Sequence, residues 1–260
     1  VGESRPGGSA ASSWVLRPRQ RSDNPRLRLF CFPYAGAAAS AYREWPAALG
    51  PEIEVLAIQL PGRGARFREP PFERCADLAA AAASGLAPLL DEPFAFFGHS
   101  MGALVAFELT RELRRQGRPG PALLAVSGRQ GPQRPEPHPP YSHLPDAEFV
   151  AEVVTRYGGI PDEVLAEKDL LRLLIPALRA DVGMLEHYEY VAEAPLACPL
   201  VCLGGLEDPE VSLADLEAWR DETRAACAVR TFAGGHFFID SARAEVAQVL
   251  REQLLLEVCS

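Results

Sequence analysis

The chain has 260 residues, 48% of them hydrophobic and 23% charged, with a formal net charge of −9. That length buries a large core and suits one α/β domain carrying an insertion, while the acidic balance argues against nucleic acid as a partner. Six cysteines are scattered without a paired framework, and Cys198 and Cys202 have no second metal-like pair, so neither zinc nor a disulfide scaffold is expected.

At the start of the chain, Val1 to about Ser13 is rich in Gly, Ser and Ala and has no signal-peptide core. Residues 1–20 are expected to form a disordered leader. No apolar run is long enough to span a membrane, so a cytoplasmic protein with no membrane partner is expected. Short apolar runs follow, at Leu27 to Phe32, Ile53 to Ile58, Phe94 to Phe97, Ala122 to Ser127, Pro199 to Leu203 and Val229 to Phe232. Longer helical patterns lie between or after them, at Arg74 to Leu90, Met101 to Gln116, Ser212 to Ala226 and Phe238 to Glu257. This alternation predicts a mostly parallel sheet covered by helices on both faces.

Residues 129–191 break the rhythm. They hold no good strand, and the run from Pro132 to Pro140 contains five prolines, which excludes a helix there and suggests an extended hinge. Behind it come Asp146 to Tyr157 and Lys168 to Tyr190, with Leu170, Leu174 and Leu178 at helical spacing. An apolar insertion hinged by prolines is expected to form a lid over the strand ends, where α/β sheets place their sites. Residues 21–128 and 192–260 would then form the core.

The most informative segment is Gly98-His99-Ser100-Met101-Gly102, between a strand-like run and a helix-forming one. In that context the pattern G-x-S-x-G forms a nucleophile elbow, which presents the serine on a sharp turn. A serine hydroxyl needs an adjacent base. Of five histidines, His99 lies inside the elbow and suits packing, His138 and His143 sit in or beside the hinge, and His187 follows a lid helix. His236, in Gly234-Gly235-His236-Phe237-Phe238 after the last strand, is the first choice. The acid that orients it should lie between serine and histidine in the chain. Asp208, in Gly205-Leu206-Glu207-Asp208-Pro209 after a strand, ranks first; Glu207 and Glu210 are neighbours of looser reach, and Asp181 is a second possibility. Amides of Met101 and of Ala35, with Gly36 next, are the candidates for an oxyanion hole.

Together these residues resemble the type II thioesterases that accompany modular polyketide and nonribosomal peptide synthases. The resemblance rests on Phe32-Pro33-Tyr34-Ala35-Gly36, Gln59-Leu60-Pro61-Gly62-Arg63-Gly64, the Ser100 elbow, Arg179-Ala180-Asp181 and the His236 segment, in the family's order over nearly the whole chain after the leader. It implies an α/β-hydrolase fold with a helical lid. The implied activity is hydrolysis of aberrant or stalled acyl chains from the phosphopantetheine arm of acyl or peptidyl carrier proteins. The implied triad is Ser100, Asp208 and His236, with no cofactor beyond the arm of the substrate. Ala37 departs from the glycine or serine the family often has there.

From position, Tyr34, Met101 and Phe237 are expected to line an acyl chamber. A monomer is expected. Arg63, Arg66 and Arg68 form a basic cluster that suggests a docking point for a carrier protein, an internal pairing of Arg63 being the other reading. A small-molecule carboxylesterase and a non-catalytic carrier-binding module are the rival readings. A cyclising, chain-releasing thioesterase is a nearer rival, but such domains are normally fused to a synthase.

Overall fold

The computed structural model describes residues 11–18 and 25–258. Seven strands form one sheet: β1 (Val15–Leu16), β2 (Leu27–Phe32), β3 (Ile53–Ile58), β4 (Phe94–His99), β5 (Leu124–Ser127), β6 (Leu200–Gly205) and β7 (Cys227–Phe232). Their order is β1-β3-β2-β4-β5-β6-β7, parallel throughout except for β1, which runs antiparallel to β3.

Alternation along the strands divides the core in two. Phe30, Phe32, Phe94 and Phe96 turn to one face, where they pack with Leu78 and Ala82 of α3 (Cys75–Leu86) and Leu104 and Phe107 of α4 (Met101–Arg115). Leu29, Cys31, Ala95 and Phe97 turn to the other, where α2 (Trp45–Leu49) and α10 (Arg243–Val258) supply Trp45, Leu49, Val246 and Leu250. Both faces are therefore dry, as parallel strands require.

The leader expected over residues 1–20 lies partly outside the described residues, and disorder does not hold for its middle. A helical turn, α1 (Ala11–Trp14), leads into β1, where Val15 pairs with Ile58 and Leu16 with Ala57. The Trp14 indole is buried: a Cβ on Gly85 of α3 would lie 2.2 Å from its Nε1. The Arg66 guanidinium covers its ring at 4.3 Å. One tryptophan and two strand-forming residues outweigh the small residues around them.

Three predicted helices are shorter or broken. The first ends at Leu86 and gives way to a 3₁₀ turn over Ala87–Leu89, where Pro88 interrupts the ladder. The final helix divides at Ala242 into α9 (Phe238–Ser241) and α10. The predicted helix from Ser212 is the short α8 (Leu213–Glu217), capped by reciprocal Ser212–Asp215 hydrogen bonds and followed by a 3₁₀ turn over Ala218–Glu222.

Between β5 and β6 lie α5 (Asp146–Tyr157), α6 (Asp162–Ala166) and α7 (Lys168–Glu186), which contains Pro176. Phe149, Val150, Val153, Ile175, Leu178 and Val182 form a third, smaller apolar cluster that also touches Ala35 of the core. The proline-rich stretch is held to the core by Gln133 Nε2 donating to the Ala218 carbonyl at 2.7 Å and by an Arg134–Asp215 ion pair at 2.9 Å.

Candidate active site

Ser100 stands between the end of β4 and the first residue of α4 with φ 54° and ψ −117°, and among the described residues no other non-glycine has a positive φ. Its neighbours explain how so tight a turn closes. A Cβ on Gly98 would lie 2.1 Å from the Gly102 carbonyl oxygen, and one on Gly102 would lie 2.2 Å from that of Phe32. Both glycines are therefore required by backbone packed against backbone. The Ser100 N–H donates to the Ser127 carbonyl at 2.7 Å, tying the turn to β5.

Two loops at the same edge of the sheet bring the histidine and its acid together. Leu206 N–H donates to Phe232 O at 2.8 Å and Glu207 N–H to Gly234 O at 3.0 Å, lacing the loop after β6 to the loop after β7. Across them, His236 Nδ1 lies 2.8 Å from Asp208 Oδ2, both side chains almost wholly buried. Asp208 Oδ1 accepts the Glu210 amide at 2.9 Å, so both carboxylate oxygens are engaged. An ionised carboxylate only accepts, so Nδ1 carries the proton and the neutral ring keeps a lone pair on Nε2. Nε2 is buried and has no hydrogen-bond partner among the described residues. His236 and Ser100 line the same cavity.

His99, the other histidine here, packs its ring 5.1 Å from that of His236. Its Nδ1 meets Ser127 Oγ at 2.9 Å. Burial first, and the neighbouring His236 second, hold its pKa well below the usual 6.5. A neutral ring therefore lies against His236 and puts no opposing charge beside it.

Asp181 is turned elsewhere. Its carboxylate forms a two-point pair with the Arg63 guanidinium, Nη2 to Oδ1 at 2.7 Å and Nη1 to Oδ2, and Oδ2 also accepts the Gly36 amide at 2.8 Å. Arg63 itself is held by Pro61 O and by the turn around Gln59. The Gln59–Gly64 and Arg179–Asp181 motifs thus converge on the loop after β2. Gly36 is engaged by Asp181 and the Ala37 amide by Tyr34 O at 3.0 Å, whereas the Ala35 amide, like those of Tyr34 and Ala38, has no acceptor among the described residues. Met101, opening α4, offers the other N–H at the positive end of the helix.

A cavity of about 330 Å³ lies over these groups. Tyr34, Ala35, Ser100, His236 and Phe237 line it from the core, and Ile160, Leu171, Leu174, Ile175 and Leu178 from the helical insertion. Tyr34 and Phe237 meet edge to face at 4.9 Å. Met101 does not line it: its side chain is fully buried in the core beneath α4, and the expectation of a place in the chamber is corrected. A second, smaller cleft of about 20 Å³ also reaches Ser100 and His236, and is lined by Gly128, Arg129, Gln130, Glu136, Tyr157 and Glu210 among others.

The expected basic docking cluster does not exist as a surface. Arg63 is buried in the Asp181 pair, and Arg66 is buried between Trp14, Glu69 and the Gln59 carbonyl. Of the three, Arg68 alone is exposed. Two of the three remaining histidines have partners of their own: His138 pairs with Glu210 at 3.2 Å, and exposed His187 bonds the Gly183 carbonyl at 2.6 Å. Sequence reasoning overlooked Tyr157, whose ring sits 4.9 Å from that of His236; lying at the end of an amphipathic helix, it gave no signal apart from core packing.

The family model of the thioesterase domain matches residues 27–254. A Brevibacillus parabrevis protein named linear gramicidin dehydrogenase LgrE is 42% identical over 94% of this chain and 93% of its own. The gramicidin S biosynthesis protein GrsT of Aneurinibacillus migulanus is 40% identical over 95% and 96%. Among solved structures, the type II thioesterase BorB from the borrelidin biosynthetic cluster superimposes with a TM-score of 0.85 at 35% identity, covering 96% of this chain and 100% of that one. No G-x-G-x-x-G dinucleotide fingerprint occurs in this sequence.

Proposed function

The chain belongs to the thioesterase family and is a type II thioesterase of nonribosomal peptide and polyketide pathways; from that premise we propose that Ser100, His236 and Asp208 form its catalytic triad and that its substrates are acyl groups on the phosphopantetheine arm of carrier proteins. The observation that carries the assignment is the buried Asp208–His236 pair, which orients Nε2 as a base in the cavity that Ser100 also lines.

The chemistry follows from the groups present. His236 Nε2 accepts the Ser100 Oγ proton as Oγ attacks the thioester carbonyl. Negative charge on the carbonyl oxygen is met by the Met101 and Ala35 amides, aided by the helix terminus. Asp208 stabilises the imidazolium and fixes its tautomer without taking the proton. Collapse breaks the C–S bond, and the departing thiolate takes the proton from Nε2. Water then gives a proton to His236 and attacks the acyl-serine, releasing the acid and restoring Oγ–H. A neutral His99 against His236 leaves the charge on the ring answered by Asp208 alone.

The apolar lining from the insertion supports an aliphatic acyl group as the part of the substrate held there. The test compares hydrolysis of acyl-carrier thioesters with that of a simple oxygen ester, beside a Ser100→Ala control. Loss of thioester hydrolysis by several orders of magnitude in Ser100→Ala is expected. Retained activity overturns the triad, and faster turnover of the oxygen ester favours the carboxylesterase reading.

A further inference from the structure

The small polar cleft beside Ser100 and His236 measures about 20 Å³. A cavity of that size takes one water, for which roughly 10–15 Å³ is enough. Arg129, Gln130, Glu136 and Glu210 bring polar groups to it, and several of these are already engaged. Gln130 Nε2 donates to the carbonyls of Arg134 and Pro135, and Glu136 pairs with Arg129 Nη2. Three groups remain. Arg129 is only 9% exposed, yet its Nε is buried with no hydrogen-bond partner among the described residues. His236 Nε2 is in the same condition. Glu210 donates its amide to Asp208 Oδ1, and its carboxylate meets His138 Nε2 through Oε2 at 3.2 Å.

A buried N–H without an acceptor is costly, and a water in the space it borders removes the cost. Breakdown of an acyl-serine also needs a water, placed against the base with one lone pair left for the carbonyl carbon. The aliphatic side chains that α7 contributes to the larger cavity offer such a water no hydrogen bond. We propose that the cleft is the site of the deacylating water and that Arg129 and Glu210 are the positioning residues that hold it there. Arg129 Nε–H donates to one lone pair, and the two water protons face His236 Nε2 and the Glu210 carboxylate. The second lone pair attacks the acyl carbon while Nε2 takes the proton. The tetrahedral adduct then breaks its C–Oγ bond, Nε2 returns the proton to Oγ, and the acid leaves. This rests on the thioesterase triad argued above.

Loosening that water slows deacylation and leaves acylation untouched. In such a two-step hydrolysis kcat/KM contains only the steps up to release of the thiol, so it holds constant while kcat and KM fall together. A displaced His236 or a loosened fold lowers kcat/KM as well. Arg129→Lys isolates the donor, because it keeps a cation for Glu136 and puts a methylene where Nε stood. Glu210→Gln keeps the size of the side chain and exchanges a charged acceptor for a neutral one. The experiment follows hydrolysis of octanoyl-loaded carrier protein by the full chain and by each variant. Rapid quench measures thiol release and the intact mass of the enzyme, with steady-state kinetics and melting temperatures alongside.

Arg129→Lys is expected to lower kcat about tenfold or more, with kcat/KM within about twofold of the parent. Thiol should appear in a burst of about one equivalent, and the enzyme should carry an octanoyl group in its mass. Glu210→Gln is expected to show the same pattern with kcat lowered about threefold, and it decides the matter if Arg129→Lys does not fold. In a folded variant, a fall in kcat/KM that matches the fall in kcat, without acyl-enzyme, overturns the proposal. Unaltered kinetics in either folded variant overturn it too. Hydrolysis that survives Ser100→Ala in the same assay is instead the failure of the triad, and is recognised separately.

Discussion

Arg63 and Asp181, 118 residues apart in the chain, close into a buried two-point ion pair whose carboxylate also holds the Gly36 amide. The pair links the turn after β3, helix α7 of the insertion and the loop that offers the Ala35 N–H. Removing one partner of such a pair leaves a buried charge unanswered, at a cost of about 3–5 kcal/mol. Asp181→Asn is therefore expected to lower the melting temperature by on the order of 10 °C. It should also lower kcat about tenfold through the loosened loop, less than deleting an oxyanion donor outright. The double variant Arg63→Met/Asp181→Leu, which leaves no orphaned charge, should lose less stability. Calorimetry with steady-state hydrolysis checks both; an Asp181→Asn enzyme as stable as the parent contradicts the argument.

The same substitution at the other aspartate should behave differently. Asp208 does not brace a loop against an arginine; its Oδ2 faces His236 Nδ1 at 2.8 Å. Asp208→Asn is expected to cut kcat by roughly 10³–10⁴, since the amide no longer holds the productive tautomer or answers the imidazolium. Comparing turnover of the two aspartate variants on one acyl-carrier substrate separates the roles, and equal losses would falsify them.

Acid should destabilise the protein through His99. Its folded-state pKa lies well below the unfolded value of about 6.5, chiefly because the ring is buried and secondarily because His236 adjoins it. Between those two values the unfolded chain binds a proton that the native state refuses, so stability falls as pH drops below about 6.5, by up to ~1.4 kcal/mol per pH unit. Above that pH the group contributes no slope. Urea midpoints at pH 7.5, 6 and 5 are expected to decline for the parent and to decline less for His99→Gln. Parallel declines in both proteins would remove His99 from the account.

Ser100, His236 and Asp208 were legible because each sits at a place where the chain changes period: a strand ends, glycines follow, and a polar residue stands on the resulting loop. The alternating sheet was legible for the same reason: β2 to β7 differ from expectation only at their ends, and β1, inside the expected leader, is the strand that pattern missed. What pattern could not supply was which side chains meet across long separations. Asp181 and Asp208 are both plausible acids in a linear reading, and only the folded chain turns one to Arg63 and the other to His236. Arg66 reads as a surface charge until Trp14, from a stretch dominated by small residues, packs beneath its guanidinium. Tyr157 reads as one more aromatic at a helix end, because its contact with His236 depends on how the insertion folds back over the sheet.

The backbone at Ser100 sets the interests of the fold against those of the reaction. A serine at φ 54° and ψ −117° holds a conformation that costs a side-chain-bearing residue about 1–3 kcal/mol, and glycine would adopt it without that strain. Ser100→Gly is accordingly expected to melt higher than the parent while losing hydrolysis, even after the extra freedom glycine adds to the unfolded chain offsets part of the gain. Directed evolution for heat resistance without an activity filter would therefore drift toward glycine at position 100. An evolved pool that kept serine there under such conditions would mean that the turn is relaxed, not loaded.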